Sequence, residues 1–193
     1  MPPKPKITKD MVIEAAFSIA RDSGAEQINA RTVAERLNCS TQPVMYHFAT
    51  IEELKKAVFC KADQYHTEHL MNLTGSKKDV LLNIGLNYIR FAVKEPHLFC
   101  FLFQSGYAAE NSLLEMIDAE GLAPVISTMQ EAMNMSLSQT KDIFVTLAMF
   151  VHGYASIIAN NSLEYDEELI KLHLERVYTG AVLAAQAENA SKS

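Results

Sequence analysis

Apolar residues recur along this chain at intervals of three and four, the spacing of one face of an α-helix, and extended alternating runs are missing. The spacing predicts a first helix from Thr8, its cap, to about Ser23. Val12, Ala15, Ala16, Ile19 and Ala20 form its inward face, and Gly24 sits at the C′ position. Asn29 caps a second helix whose Val33, Ala34 and Leu37 share a face. Asn38 falls at the following turn, where a left-handed backbone is expected and Asn is the best substitute for Gly. Cys39 follows the turn. Ser40 caps a short third helix, with Val44 and Phe48 four residues apart. Thr50 and Glu53 then form a T-x-x-E capping box, opening a long fourth helix with Leu54, Val58, Lys61 or Ala62, Tyr65 and His69 along one side.

Beyond Gly75 more amphipathic helices are expected. Ser76 and Asp79 start one that carries Leu81, Ile84, Tyr88 and Phe91 and stops before Pro96. The apolar segment Leu98–Phe103 follows, ended by Ser105 and Gly106. Leu113, Leu114 and Ile117 mark another helix, broken by Gly121, and Pro124 suits the first turn of the next, continued by Val125, Met129 and Met133. Ser138 is placed to open a long helix with Ile143, Leu147, Phe150, Tyr154 and Ile157 at spacings of four and three. The last helix repeats that spacing with Ile170, Leu174, Val177, Ala181 and Ala184. Two heptads are enough for a bundle seam.

The first helix of that pair is also apolar on its other side, at Phe144, Ala148, Val151, Ala155 and Ala159. Such a helix needs cover on both sides, so a homodimer is expected through Ile143, Leu147, Tyr154, Ile157, Ile170, Leu174, Val177, Ala181 and Ala184. The alternative is a larger bundle within one chain.

Composition narrows the picture little further. At 193 residues and 49% apolar, the chain can bury a sizeable core as one large domain or two small ones, and it reads as all-α. Cys39, Cys60 and Cys100 are far apart and form no CxxC pair, so small buried hydrophobes in a reducing compartment are expected. Lys4, Lys6 and Lys9 lead into Asp10 and Glu14, not into the apolar core of a signal peptide. Val145–Ala159 is interrupted by His152 and short for a bilayer crossing. A cytoplasmic protein without a membrane span is the expectation.

Charge matters because it is uneven. Residues 1–60 carry net +1 and the remainder net −7, which together make the −6 of the whole chain. An amino-terminal part able to approach a polyanion, joined to an acidic remainder, fits this better than binding along the whole length.

The Ala30–Leu54 stretch supplies the reason to approach DNA. Two short helices broken by a tight turn are the layout of a helix-turn-helix, in which one helix braces another that enters the major groove. At the start of the third helix Gln42 can bond adenine bidentately, Thr41 can bond several base edges, and Pro43 and Val44 can touch thymine methyls. Ser40, Tyr46, His47 and Thr50, with Arg31 and Thr32 on the second helix, are candidates to position the head on phosphates. Lys6 and Lys9, with Lys4 before them, would reach the adjacent backbone as an arm.

These residues resemble the head of the TetR/AcrR family of transcriptional regulators. The resemblance rests on Ala15-Ala16 and Gly24, then Val33-Ala34, Asn38-Cys39-Ser40, Val44-Met45-Tyr46-His47-Phe48 and Ile51-Glu52-Glu53-Leu54. More loosely, Tyr88-Ile89-Arg90-Phe91-Ala92 with Glu95, Pro96 and Phe99, and Val151-His152-Gly153, are similar to features of the family's ligand-binding domains. Met45 stands where the family usually has Tyr, Ile51 where it usually has Lys, and Asn38 where it usually has Gly. The first two positions commonly meet DNA, so the resemblance implies fewer phosphate clamps than relatives have.

It also implies a helix-turn-helix DNA-binding domain over residues 1–50 and a ligand-binding and dimerisation domain over 51–193. The expected partners are a double-stranded pseudo-palindromic operator, a second copy, and an unidentified, largely apolar small molecule that releases the DNA. Tyr88, Phe91, Phe99, Phe103, Met129, Met133, Phe150, His152 and Tyr154 are the candidate pocket, large adaptable side chains with a few polar handles. No cofactor is expected. His66 and His69 share a helix face near Glu68, yet without a third ligand at fixed spacing they read as exposed helix residues, not a metal site. No phosphate loop, nucleophile elbow or HExxH motif suggests an enzyme. The reading is a ligand-responsive regulator, a repressor by resemblance. The alternative is a helical small-molecule-binding or protein-interaction module whose head has lost DNA.

Overall fold

A computed structural model describes residues 7–73, 79–107, 117–118, 120–161 and 163–192, with side chains as far as residue 187. Among these residues the secondary structure is helical throughout, with no strand. The expectations for Lys4, Lys6, Gly75, Ser76, Leu113 and Leu114 lie outside the described residues.

Helix α1, Lys9–Ser23, begins where Thr8 accepts a hydrogen bond from the Met11 amide, and it ends at Gly24, whose φ of +97° suits a residue without Cβ. A 3-10 turn over Ala25–Gln27 leads to α2, Ala30–Arg36, and then to α3, Thr41–His47. Asn29 accepts from the Arg31 and Thr32 amides at 3.0 Å each, and Thr32 accepts from the Asn29 amide at 3.1 Å, closing a capping box. Asn38 takes the left-handed conformation with φ of +50°, and the Cys39 amide reaches back to the Ala34 carbonyl at 3.0 Å. Ser40 stands at the N-cap of α3 without making a side-chain cap bond.

Helix α4, Ile51–Leu70, opens on the expected pair. The Glu53 amide donates to Thr50 Oγ1 at 3.1 Å, and the Glu53 carboxylate accepts from the amide of Ala49, one residue earlier than the cap. Then follow α5, Val80–Lys94, α6, Pro96–Gln104, α7, Ala123–Met133, α8, Leu137–Asn161, and α9, Glu167–Lys192. The cap of α8 is Ser136, not Ser138: its hydroxyl accepts from the Gln139 amide, and Gln139 Oε1 accepts from the Ser136 amide. A capping box S-x-x-Q explains the shift of two residues.

The chain forms two compact units. One comprises the chain to Tyr65 together with the stretch from Glu95 through α6. Its interior is made by Val12, Ala16, Ala20, Ile28, Val33, Val44, Leu54, Val58, Phe99 and Leu98. The other runs from His66 to Lys94 and includes α7, α8 and α9, with α5 packed most extensively on α8. Gly85 on α5 permits close approach of α9, because a Cβ there would lie 2.6 Å from Leu174 Cδ2. Arg90 on α5 donates from Nε at 3.0 Å, and again from its terminal nitrogen, to the Glu167 carboxylate at the start of α9, which holds that carboxyl below its usual range.

The length of one apolar helix and the burial of the cysteines differ from expectation. The helix around Val145–Ala159 extends over 25 residues, long and apolar enough by length and composition to cross a membrane. Its apolarity is accounted for on one side by Ile143, Leu147, Val151, Ala155 and Ile158, which are buried within the unit. The cysteines are free and none is fully buried: Cys60 is exposed, and Cys39 and Cys100 are half-buried.

Leu174 is 2% exposed in the α5–α8–α9 seam. Leu174→Ala should therefore cost about 2–5 kcal/mol of unfolding free energy, read by urea denaturation at fixed protein concentration.

Candidate nucleic-acid interface

A seven-residue helix can display side chains only if something else holds it. In α3 the inward anchors are Val44, fully buried, and Phe48 just beyond its end, 4% exposed. Thr41, Gln42, Met45 and Tyr46 occupy the opposite face and are exposed, Tyr46 at 80%. Pro43 is half-buried between the two faces. Val44 therefore belongs to the core and has no surface with which to touch a thymine methyl. Met45 stands in the exposed set.

The other head candidates divide by what already holds them. Thr32 is engaged in the α2 cap, its hydroxyl donating to the Gln27 carbonyl at 2.8 Å. His47 donates from Nε2 to the Ile7 carbonyl at 2.9 Å, so it ties the segment before α1 to the end of α3. The ammonium of Lys9 lies 5.2 Å over the Phe48 ring, a cation–π contact that fixes the start of α1 while the side chain stays exposed. Arg31 is exposed and paired with Glu35 four residues on, at 2.8 Å. Thr50 and Ser40 are exposed at the starts of α4 and α3.

The candidate pocket residues fall in both units. Tyr88, Phe91, Met129, Met133, Phe150, His152 and Tyr154 belong to the second unit, whereas Phe99 and Phe103 on α6 belong to the first. Phe91, Phe99 and Met129 are buried, and Phe103 is exposed. Two hollows lie in the first unit, one of about 340 Å³ between Gly24–Glu26, Lys55 and α6, the other of about 440 Å³ against Met11 and Leu37. Neither includes a residue of the expected pocket.

The second unit does hold a polar cluster inside an aromatic surround. The Tyr88 hydroxyl donates to His152 Nδ1 at 2.9 Å, and His152 Nε2 reaches Ser156 Oγ at 3.2 Å. Tyr154 donates to His173 Nδ1 at 2.7 Å. His66 is 5% exposed, its ring edge-on to Tyr88 and Phe91. Burial pushes His66 down to about 3 and lowers His152, so both imidazoles are neutral, and it raises the Tyr88 hydroxyl. The expectation that His66 and His69 are exposed is thus corrected: His66 is buried and His69 half-buried. The missed signal was the stripe Leu54, Val58, Ala62, His66 and Leu70, spaced four residues apart. No cluster of three metal-binding side chains occurs among the described residues.

The seam expected at the dimer face also divides. Ile143, Leu147, Ile170 and Leu174 are buried within the unit and leave no surface for a second copy. Tyr154, Val177 and Ala181 are half-buried, and Ile157 and Ala184 are exposed. Met149, Leu169, Leu172 and Leu183 are further exposed large apolar side chains on the same two helices.

Comparison with known proteins now bears on these surfaces. Residues 81–177, just over half the chain, match the family model described as tetracyclin repressor-like, C-terminal domain. No curated protein matches the sequence. A TetR-family transcriptional regulator from Streptomyces coelicolor has a similar structure at a TM-score of 0.69, 12% identical over 93% of this chain and 82% of that one. A TetR variant from Acinetobacter baumannii AYE, solved in complex with minocycline, is similar at 0.63, 16% identical over 93% of this chain and 99% of that one. A transcriptional regulator from Rhodococcus sp. Rha1 is similar at 0.60, 16% identical over 92% and 97%. At such identities the likeness speaks for the fold.

His66 yields a pH test. A histidine whose pKa falls from 6.5 to about 3 on folding binds a proton only in the unfolded chain between those values. Its stabilising contribution is complete above 6.5 and declines as the pH drops through that value. Stability should fall by up to about 2 kcal/mol from this group between pH 7 and pH 5. His66→Phe should flatten the pH profile of the urea midpoint in that window.

Proposed function

Because the chain belongs to the tetracyclin repressor-like family of transcriptional regulators, we propose that it binds a pseudo-palindromic DNA operator as a homodimer and releases it on binding a small molecule. The observation that carries the DNA side is the split of α3, with Val44 buried and Thr41, Gln42, Met45 and Tyr46 turned outward. Gln42 and Thr41 read base edges in this proposal, and Met45 adds an apolar contact. Lys9, Arg31, Ser40, Tyr46 and Thr50 hold phosphates and sugars. Arg31 must give up Glu35 to do so, a small loss for an exposed pair.

The division of labour follows the chain. Residues 1–50 carry DNA recognition, and residues 51–193 carry effector binding and dimerisation. The second copy packs on the outer faces of α8 and α9, where Met149, Gly153 and Ile157 line one stripe and Leu169, Leu172 and Leu183 another. An added Cβ at Gly153 or Gly180 would meet nothing within 4 Å among the described residues, so partner helices can approach closely there. The effector meets the neutral Tyr88–His152–Ser156 cluster and the apolar Phe91 and Met129 of the same unit. A half-buried site of uncharged donors and acceptors favours a largely apolar molecule with a few hydrogen-bonding groups. The solved relative with minocycline supports a small-molecule input. Repression, a cytoplasmic location and the absence of catalysis follow the family's habit.

Two substitutions separate reading from clamping. Gln42→Ala should lower the preference for the selected duplex over a scrambled one by about 1–3 kcal/mol. Lys9→Ala should weaken both duplexes alike and reduce the slope of log affinity against log salt by about 1. Fluorescence anisotropy across a salt series reads both. Equal losses on the two duplexes for Gln42→Ala would remove it as a base reader.

A further inference from the structure

Glu95 sits at the N-cap of α6 and makes no cap bond to its own helix. A carboxylate there would ordinarily accept from the free amides of the first turn. Here the side chain turns away and accepts three hydrogen bonds from elsewhere in the first unit. Arg21, at the end of α1, donates from Nε to Oε2 at 2.7 Å and from a terminal nitrogen to Oε1, a bidentate pair. Tyr65 on α4 donates its hydroxyl to Oε1 at 3.1 Å.

The contacts around these three residues reinforce one another. The Arg21 guanidinium lies 5.5 Å over the Tyr65 ring, and that ring meets Phe17 of α1 edge-on at 5.6 Å. One turn earlier, Lys61 pairs with Glu14 at 2.6 Å and lies over the Phe17 ring. Burial beside the carboxylate raises the Tyr65 hydroxyl, which keeps it a donor. The Glu95 side chain is 8% exposed and that of Arg21 is 47% exposed.

Position in the chain gives this cluster its meaning. Tyr65 is the last residue of the first unit before His66 opens the second, and Glu95 is the first residue after the chain returns from Lys94. Two of the three chain crossings between the units are therefore tied to the one arginine at the end of α1, the helix that shares a core with α2 and α3.

We propose that Arg21, Glu95 and Tyr65 form a latch through which the second unit and the DNA-binding head sense each other. Closed, it holds α1 to the start of α6 and to α4, and so keeps α2 and α3 in the DNA-binding arrangement. A strain arriving along α5 or α4 reaches Glu95 or Tyr65 first, and opening the latch releases α1. The residues act as positioning groups, not DNA contacts. The inference rests on the DNA-binding reading above.

Coupling between two sites is reciprocal, so it can be read from the DNA side without knowing the effector. The probe is a duplex recovered by in vitro selection with the unmodified full-length protein, and the readout is hydrogen exchange at residues 66–70 and 80–94 with and without it. In the unmodified protein the duplex should change exchange there by several-fold. Glu95→Gln, close to isosteric and leaving Arg21 free to meet water, should bind the duplex about 5-fold more weakly, with the distant change reduced to the noise. Tyr65→Phe, which keeps the ring and loses one bond, should fall between. An unchanged distant response in both variants overturns the latch, as does no response in the unmodified protein that binds its duplex. Failure to select any duplex overturns the DNA-binding reading itself, and the latch with it.

Discussion

Helices of seven residues do not persist in water unaided, because nucleation costs more than so few hydrogen bonds return. Both α2 and α3 are of that length, so everything the head can do depends on their being buried against α1 and capped at their ends. Val33, Ala34, Val44 and Phe48 supply the burial, and the Asn29–Thr32 box and the left-handed Asn38 fix the two ends of α2. The outward face of α3 is then determined, since a helix that buries Val44 must turn Thr41, Gln42, Met45 and Tyr46 away.

The same constraint makes α1 the brace of the head. It shares the core of the short helices, and its far end carries Arg21. The second unit has an independent source of stability in the α5–α8–α9 packing, with Gly85 allowing close approach and Arg90–Glu167 tying two helices at their ends. In the proposed latch, a change in the second unit acts on the head through that one brace. Small shifts need only reach the brace.

Much of this architecture was legible in the sequence because caps and helical spacing are local. Thr8, Gly24, Asn29, Asn38, Thr50 and Pro124 each mark a helix boundary by a residue type suited to that backbone. Local signals misplaced the start of α8, where Ser136 and Ser138 offer the same chemistry and only the position of Gln139 decides between them. Periodicity found the seam through Ile143, Leu147, Ile170 and Leu174 but could not say which partner the seam meets, and the packing assigns it to the chain's own core. The Arg21–Glu95–Tyr65 cluster was invisible because its members are far apart in sequence and meet only through the fold. His66 was misread because a titratable residue on an apolar stripe looks polar until burial is known.

The central claim is that the exposed face of α3 reads DNA. Selection from a random duplex library with the full-length protein, followed by binding to the selected and scrambled duplexes over a salt series, tests it most directly. A pseudo-palindromic motif should be enriched, with half-sites about one helical turn or a multiple apart. Two chains should bind per duplex, with affinity falling linearly in log against log salt and a clear preference for the selected sequence. No enriched motif, or equal affinity for selected and scrambled duplexes, would contradict it and leave a helical binding module whose head does not read DNA.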